Sequence, residues 1–120
     1  MTELQIQTES KPPRLYDAYR FFINTIYAEV PKIDVDLVLE LLRLNYKYKQ
    51  ERSRVRLEII YTENINTQEK KEEIYSRTKR VADVRDHHIL IIDGYFRLQD
   101  IEELARDNQI QAIKGSAVSY

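Results

Sequence analysis

Apolar positions along this chain change period several times, and each change predicts an element. Between Arg14 and Glu29, the residues Leu15, Tyr19, Phe22, Ile23, Ile26 and Tyr27 recur at three- and four-residue spacing, the period of one helical face. Pro31 stops that helix. A second stripe, Leu37, Val38, Leu41, Leu42 and Leu44, runs to about Tyr48, with Asp34 placed to accept N–H bonds of its first turn. The connection is short, so an antiparallel helical hairpin is expected over 14–48. From Arg54 to Tyr61 the period drops to two. Val55, Leu57, Ile59 and Tyr61 share one face of a half-exposed strand, with Arg54, Arg56 and Glu58 on the other.

Asn64-Ile65-Asn66 breaks this strand, and Asn66 followed by Glu69 predicts a capping box that opens a third helix. Its inner stripe reads Ile74, Thr78, Val81 and Val84. His88–Ile92 is a continuous apolar strand of the kind covered on both faces, and Asp93-Gly94 ends it. Leu98, Ile101, Leu104 and Ala105 mark a fourth helix, and Ile110–Ile113 a last strand. The expected fold is thus α/β (α+β): a helical hairpin, then a β-α-β-α-β core over 53–114 with a small sheet. Residues 14–114 read as one domain, between a disordered arm over 1–13 and a loose tail over 115–120.

Composition narrows this picture. With 120 residues, 42% hydrophobic and 32% charged, the chain has the profile of a small globular domain with a charged surface. It contains no Cys, which excludes a disulfide framework and thiolate-bound zinc. No apolar run is long enough to span a bilayer, and residues 1–13 hold no signal-type apolar region, so a soluble cytoplasmic protein without a membrane partner is expected. The net charge of −1 conceals an uneven distribution: residues 47–97 carry twelve basic and nine acidic side chains. A locally basic middle permits a polyanionic partner.

Candidate chemistry concentrates in the turn Asp93-Gly94-Tyr95-Phe96-Arg97. A Gly at a strand-to-helix turn lets a ligand approach the backbone, helix N-termini present unpaired N–H groups, and an Arg can clamp an oxyanion. The run IIDGYFRLQDIEELARDNQIQAI resembles the second box of the ParB/sulfiredoxin-like superfamily, in which a strand delivers an (I/V)DG-x-x-R turn followed by a helix and a strand. The matching positions are Ile92, Asp93, Gly94, Arg97 and Leu98. The resemblance extends over about residues 53–114 and is specific across Ile89–Ile113. It implies a ParB/sulfiredoxin-like core in which Gly94, Arg97 and the backbone N–H groups of Tyr95 and Phe96 hold a phosphate of a nucleotide or nucleic acid. The chain departs from the pattern in four ways. The turn has no Cys, Tyr95 and Phe96 replace the Glu-Arg of partition proteins, Glu63-Asn64-Ile65-Asn66 stands in place of the Asn-Pro-x-x-x-Arg segment after the first strand, and no DNA-binding helix-turn-helix segment follows. Sulfiredoxin chemistry is excluded.

A second candidate is the segment 45–56, in which Lys47, Lys49, Arg52, Arg54 and Arg56 are interleaved with Tyr46 and Tyr48. Cations neutralise phosphates and Tyr stacks on unpaired bases. The segment also fits a solvated helix end whose cations favour the C-terminal dipole. Asp93, at the end of a buried strand, is the best single acid for a Mg²⁺- or Mn²⁺-dependent nuclease, with Glu58 or Glu63 as converging partners. It would equally serve as a turn or helix cap. His87-His88, adjacent at a strand start, should point to opposite faces and so make no bidentate metal site. Tyr16, Tyr19, Tyr27, Tyr46 and Tyr48 lie on or near helical stripes and read as packing residues.

Three readings follow. One is a protein that binds or processes nucleic acid, the kind of stripped ParB-like form expected in a virus or mobile element. Another is a nucleotide-binding phosphotransfer enzyme using the same turn. The last is an interaction protein that keeps only the fold and offers its helical hairpin to a partner or to a second copy.

Overall fold

The computed structural model describes residues 12–49 and 52–118. Over them run α1 (Pro12–Glu29), α2 (Val35–Tyr48), β1 (Ser53–Tyr61), α3 (Thr67–Thr78), β2 (Asp83–Asp86), β3 (Ile89–Phe96), α4 (Leu98–Leu104) and β4 (Ile110–Val118). The chain divides between Pro31 and Lys32 into two compact units.

The first unit holds α1. Residues 1–11, expected to be an arm, lie outside the described residues, while Pro12 and Pro13 open the helix. Proline suits that place, because its fixed φ is helical and the N–H it lacks would have no intrahelical acceptor there. The stripe that predicts α1 is not a continuous core face. Leu15, Tyr19 and Phe22 are 78%, 58% and 44% exposed.

In the second unit, β1 alternates without exception: Ser53, Val55, Leu57, Ile59 and Tyr61 are buried, while Arg54, Arg56, Glu58 and Ile60 face outward. β1 lies between β3 and β4, antiparallel to both, and β2 pairs with the far side of β3. The sheet order is therefore β2-β3-β1-β4. A β-α-β-β-α-β chain in that order is the split β-α-β arrangement, the ferredoxin-like topology. The inner face carries Val55, Leu57, Ile59 and Tyr61 of β1, Leu90, Ile92 and Phe96 of β3, and Ile110 and Ile113 of β4. Against it lie Leu37, Val38, Leu41 and Leu44 of α2, Ile74 of α3, and Ile101 and Leu104 of α4. Burying a side chain of this size contributes about 1.5–3 kcal/mol.

Several boundaries move from their expected places, each for a physical reason. The third helix ends at Thr78, because Lys79 adopts the left-handed conformation at φ 62. Val81 and Val84, expected on its inner stripe, are exposed, and Val84 belongs to the edge strand β2, absent from the expected β-α-β-α-β order. β3 continues through Asp93 and Gly94 to Phe96, because β1 offers pairing partners as far as Ser53. It alternates in burial beyond Ile89 and is not covered on both faces. β4 extends through Gly115 to Val118, so 115–118 of the expected loose tail are strand; residues 119–120 lie outside the described residues. Gly115 is required here, since a Cβ would collide with the Arg56 carbonyl oxygen on β1. Asp34 does precede α2, but its side chain makes no cap bond. Its N–H donates instead to the Ile113 carbonyl at 2.9 Å, part of a short bridge that Ile33 forms along β4.

One buried charge ties α3 to the turn after α4. Lys70 is only 4% exposed. Its ammonium donates to Asp107 at 2.8 Å and to Glu73 at 3.2 Å, and lies 5.7 Å from the Tyr61 ring centroid. Burial tends to raise the Asp107 carboxyl, but the Lys70 ammonium and the Gln109 N–H hold it below its ordinary value. A carboxyl depressed on folding contributes stability that is full above about pH 4 and fades as pH falls through the folded value. Asp107→Asn should therefore be less stable than the parent at pH 7 by about 2 kcal/mol in urea melts. The gap should shrink as pH is lowered below about 4. A gap independent of pH would show that this ion pair is not the source.

Candidate functional site

The four residues expected to hold a phosphate, Gly94–Arg97, and the candidate metal ligand Asp93 lie not on one turn but on a strand and a helix cap, and the strand splits them between two faces. Gly94 faces inward opposite Val55, and a Cβ there would stand 3.1 Å from the Arg80 Nε and 3.1 Å from the Phe96 ring. The glycine is thus explained by close packing. Phe96 is buried in the core. Asp93 and Tyr95 face outward, opposite Arg56 and Arg54. Arg97 is the N-cap residue of α4. Asp100 accepts the Arg97 N–H at 2.8 Å and pairs with its guanidinium at 3.1 Å. Burial tends to raise the Asp100 carboxyl, and these Arg97 contacts overcome it and hold the carboxyl low. Arg97 also borders an open recess of about 270 Å³ lined by Leu41, Leu42, Asn45, Ser53, Phe96, Leu98 and Gln99.

The outer face of the sheet collects most of the remaining candidates. Arg54 and Arg56 project from β1, Asp93 and Tyr95 from β3, and Lys114 and Ser116 from β4, all exposed. Tyr95 is 55% exposed and stands across from Arg54 on the adjacent central strand. The Arg56 guanidinium meets the Asp93 carboxylate at 3.3 Å, and Arg85 meets Glu58 at 3.0 Å. Ile60, Ile89 and Ile91 are half-buried among these charges. Arg52 is exposed just before β1. Lys47 and Lys49 lie at the end of α2, each over a neighbouring Tyr ring, at 5.5 Å from Tyr48 and 5.7 Å from Tyr46.

Asp93 belongs to no group of three donors close enough to share an ion among the described residues. Its carboxylate is opposed by Arg56; of the acids diagonal to it, Glu58 is paired with Arg85, and Asp83 of β2 lines the same shallow recess beside Lys79 and Arg80. Glu63 lies in the turn after β1. Among the described residues, the one group of three donors close enough to share an ion is Asp86, His87 and His88. That group reverses the expectation for the two histidines. They occupy the tight turn between β2 and β3, not the start of a strand, so strand alternation does not separate them, and their ring centroids are 4.6 Å apart.

Sequence periodicity had no means of finding the Tyr95–Arg54 pairing, which depends on the register of two strands far apart in the chain. The second unit is a small α+β fold of split β-α-β topology, with α2, α3 and α4 on one side of its sheet and a charged, tyrosine-bearing surface on the other. The chain matches no protein-family model, no curated protein and no solved structure.

The Arg97–Asp100 cap yields a direct test. Asp100→Ala should lower stability by about 1 kcal/mol in urea melts, because it removes both the acceptor for the Arg97 N–H and its ion pair. Asp100→Asn, which keeps an acceptor oxygen, should cost less, and equal losses would show that charge alone matters.

Proposed function

We propose that the protein binds single-stranded nucleic acid on the outer face of its sheet. The observation that carries this reading is the placement of Tyr95 beside Arg54 on the two central strands, with Arg56 next along. A four-stranded sheet that keeps its helices on one side leaves the other side for bases, which stack on aromatic side chains of the central strands while cations meet the phosphates. Here Tyr95 is the stacking platform, Ile91 and Ile89 extend the apolar strip, and Arg54 and Lys114 neutralise phosphates. Arg52, Lys49 and Lys47 continue the cationic track beyond the first residue of β1. The acids Asp93 and Glu58 orient Arg56 and Arg85, so they hold guanidinium groups in place for a polyanion. This keeps the nucleic-acid partner implied by the ParB-like resemblance and transfers the contact surface from the Gly94–Arg97 segment to the sheet. No catalytic step is assigned to Asp93.

Fluorescence anisotropy with labelled single-stranded DNA and RNA, and with a duplex of the same sequence, tests the reading. Tyr95→Ala should weaken single-strand binding about tenfold or more. Arg54→Ala should reduce the slope of affinity against salt by about 0.7. Binding that is absent at low salt, or indifferent to both substitutions, would sink the proposal.

A separate observation favours a second reading, self-association through α1. Leu15, Tyr19 and Phe22 are exposed and recur at helical spacing, and apolar stripes of this kind mark interaction surfaces. Light scattering of the full chain should then give a dimer mass that Phe22→Glu returns to monomer. A monomeric parent protein would remove this reading and leave the first untouched.

A further inference from the structure

The turn joining β2 to β3 carries a group of side chains that the proposed sheet face does not use. Asp86, His87 and His88 each bring one donor atom, and these atoms lie within 4.8 Å of one another. They are held there from outside. Thr67 at the start of α3 donates its hydroxyl to the His87 carbonyl at 2.8 Å, and the Tyr61 N–H at the end of β1 donates to the His88 carbonyl at 2.8 Å. The Asp86 carboxylate accepts the His87 N–H at 2.6 Å and lies 2.8 Å from the His87 Nδ1. The His88 Nδ1 is buried and has no hydrogen-bond partner among the described residues. A turn pinned at two carbonyls, with two imidazoles and a carboxylate converging and one buried ring nitrogen unsatisfied, has the parts of a ligand site.

From this geometry we propose that Asp86, His87 and His88 bind a divalent transition-metal ion of the zinc class, with water completing the coordination. The donor set of two imidazoles and one carboxylate selects such ions over Mg²⁺ or Ca²⁺, which prefer oxygen ligands. Bonds of about 2.0–2.1 Å in a tetrahedral site set donors about 3.4 Å apart. The side chains of Asp86 and His87 are exposed by half or more, so they can rotate into that spacing without moving the core. Three protein ligands leave an open position, the arrangement of zinc sites that hold a water molecule. The chain's composition makes the assignment unambiguous to test, because it contains two His in all and no Cys.

The experiment is a titration of the full chain, free of any histidine tag, with ZnCl₂ by calorimetry and with Co²⁺ by visible absorption. One equivalent should bind, and Co²⁺ should develop the absorption bands of a low-coordinate site. His87→Ala and Asp86→Asn, both at exposed side chains, should each weaken binding about tenfold or more. Asp93→Asn should leave the titration unchanged. Absence of saturable binding would overturn the proposal, as would binding that survives both His87→Ala and Asp86→Asn or is lost in Asp93→Asn. The outcome is independent of nucleic-acid binding, since Tyr95→Ala should retain the metal.

Discussion

The structure depends on the two-sided pairing of β1. Among the described residues, Ser53–Tyr61 form the only strand bonded along most of its length on both edges, with β3 on one side and β4 on the other. Because side chains of a strand alternate, that central position commits Val55, Leu57, Ile59 and Tyr61 to the core and Arg54, Arg56 and Glu58 to the outer face at once. A slip of one residue would bury three charges and expose the core, so the register is strongly determined. The neighbours inherit it. Gly115 is admitted only where β4 passes the Arg56 carbonyl, and Gly94 only where β3 passes Arg80 and Phe96.

This inheritance explains why, in the segment with the richest chemical appearance, Gly94 and Phe96 have a packing role. Asp93-Gly94-Tyr95-Phe96-Arg97 has the composition of a phosphate turn, yet β1 supplies pairing partners as far as Phe96, so the backbone stays extended. Once extended, alternation sends Gly94 and Phe96 inward and Asp93 and Tyr95 outward. The outward side chains thereby join a surface assembled from four strands. Its charges are organised in pairs, Arg56 with Asp93 and Arg85 with Glu58. Exposed pairs of this kind add little stability, about 0–1 kcal/mol each.

The two proposed sites sit at different levels of the fold. The sheet face depends on long-range register, and a change in strand pairing would dismantle it. The Asp86-His87-His88 group depends on one tight turn and on two carbonyl contacts, from Thr67 and Tyr61. Loss of a ligand side chain there leaves the sheet intact. The buried Lys70–Asp107 pair belongs to neither site and acts only to join α3 to the turn that follows α4.

What the chain determined by itself was everything that repeats locally. Period-two alternation located β1, helical stripes located α2 and α4, and Asn66 before Glu69 located the start of α3, where the Asn66 side chain accepts the Glu69 N–H at 3.0 Å. The α+β class follows from those periods. Tertiary structure decided whatever required a distant partner. β2 has four exposed residues and no apolar signature, so it exists as a strand only because β3 offers an edge. The end of β3, the extension of β4 and the meeting of Tyr95 with Arg54 all depend on hydrogen-bonding partners dozens of residues away. The convergence of His87 and His88 likewise required a turn where their order in the chain predicted a strand. Local periodicity reports which face a side chain occupies, and only pairing reports what stands beside it.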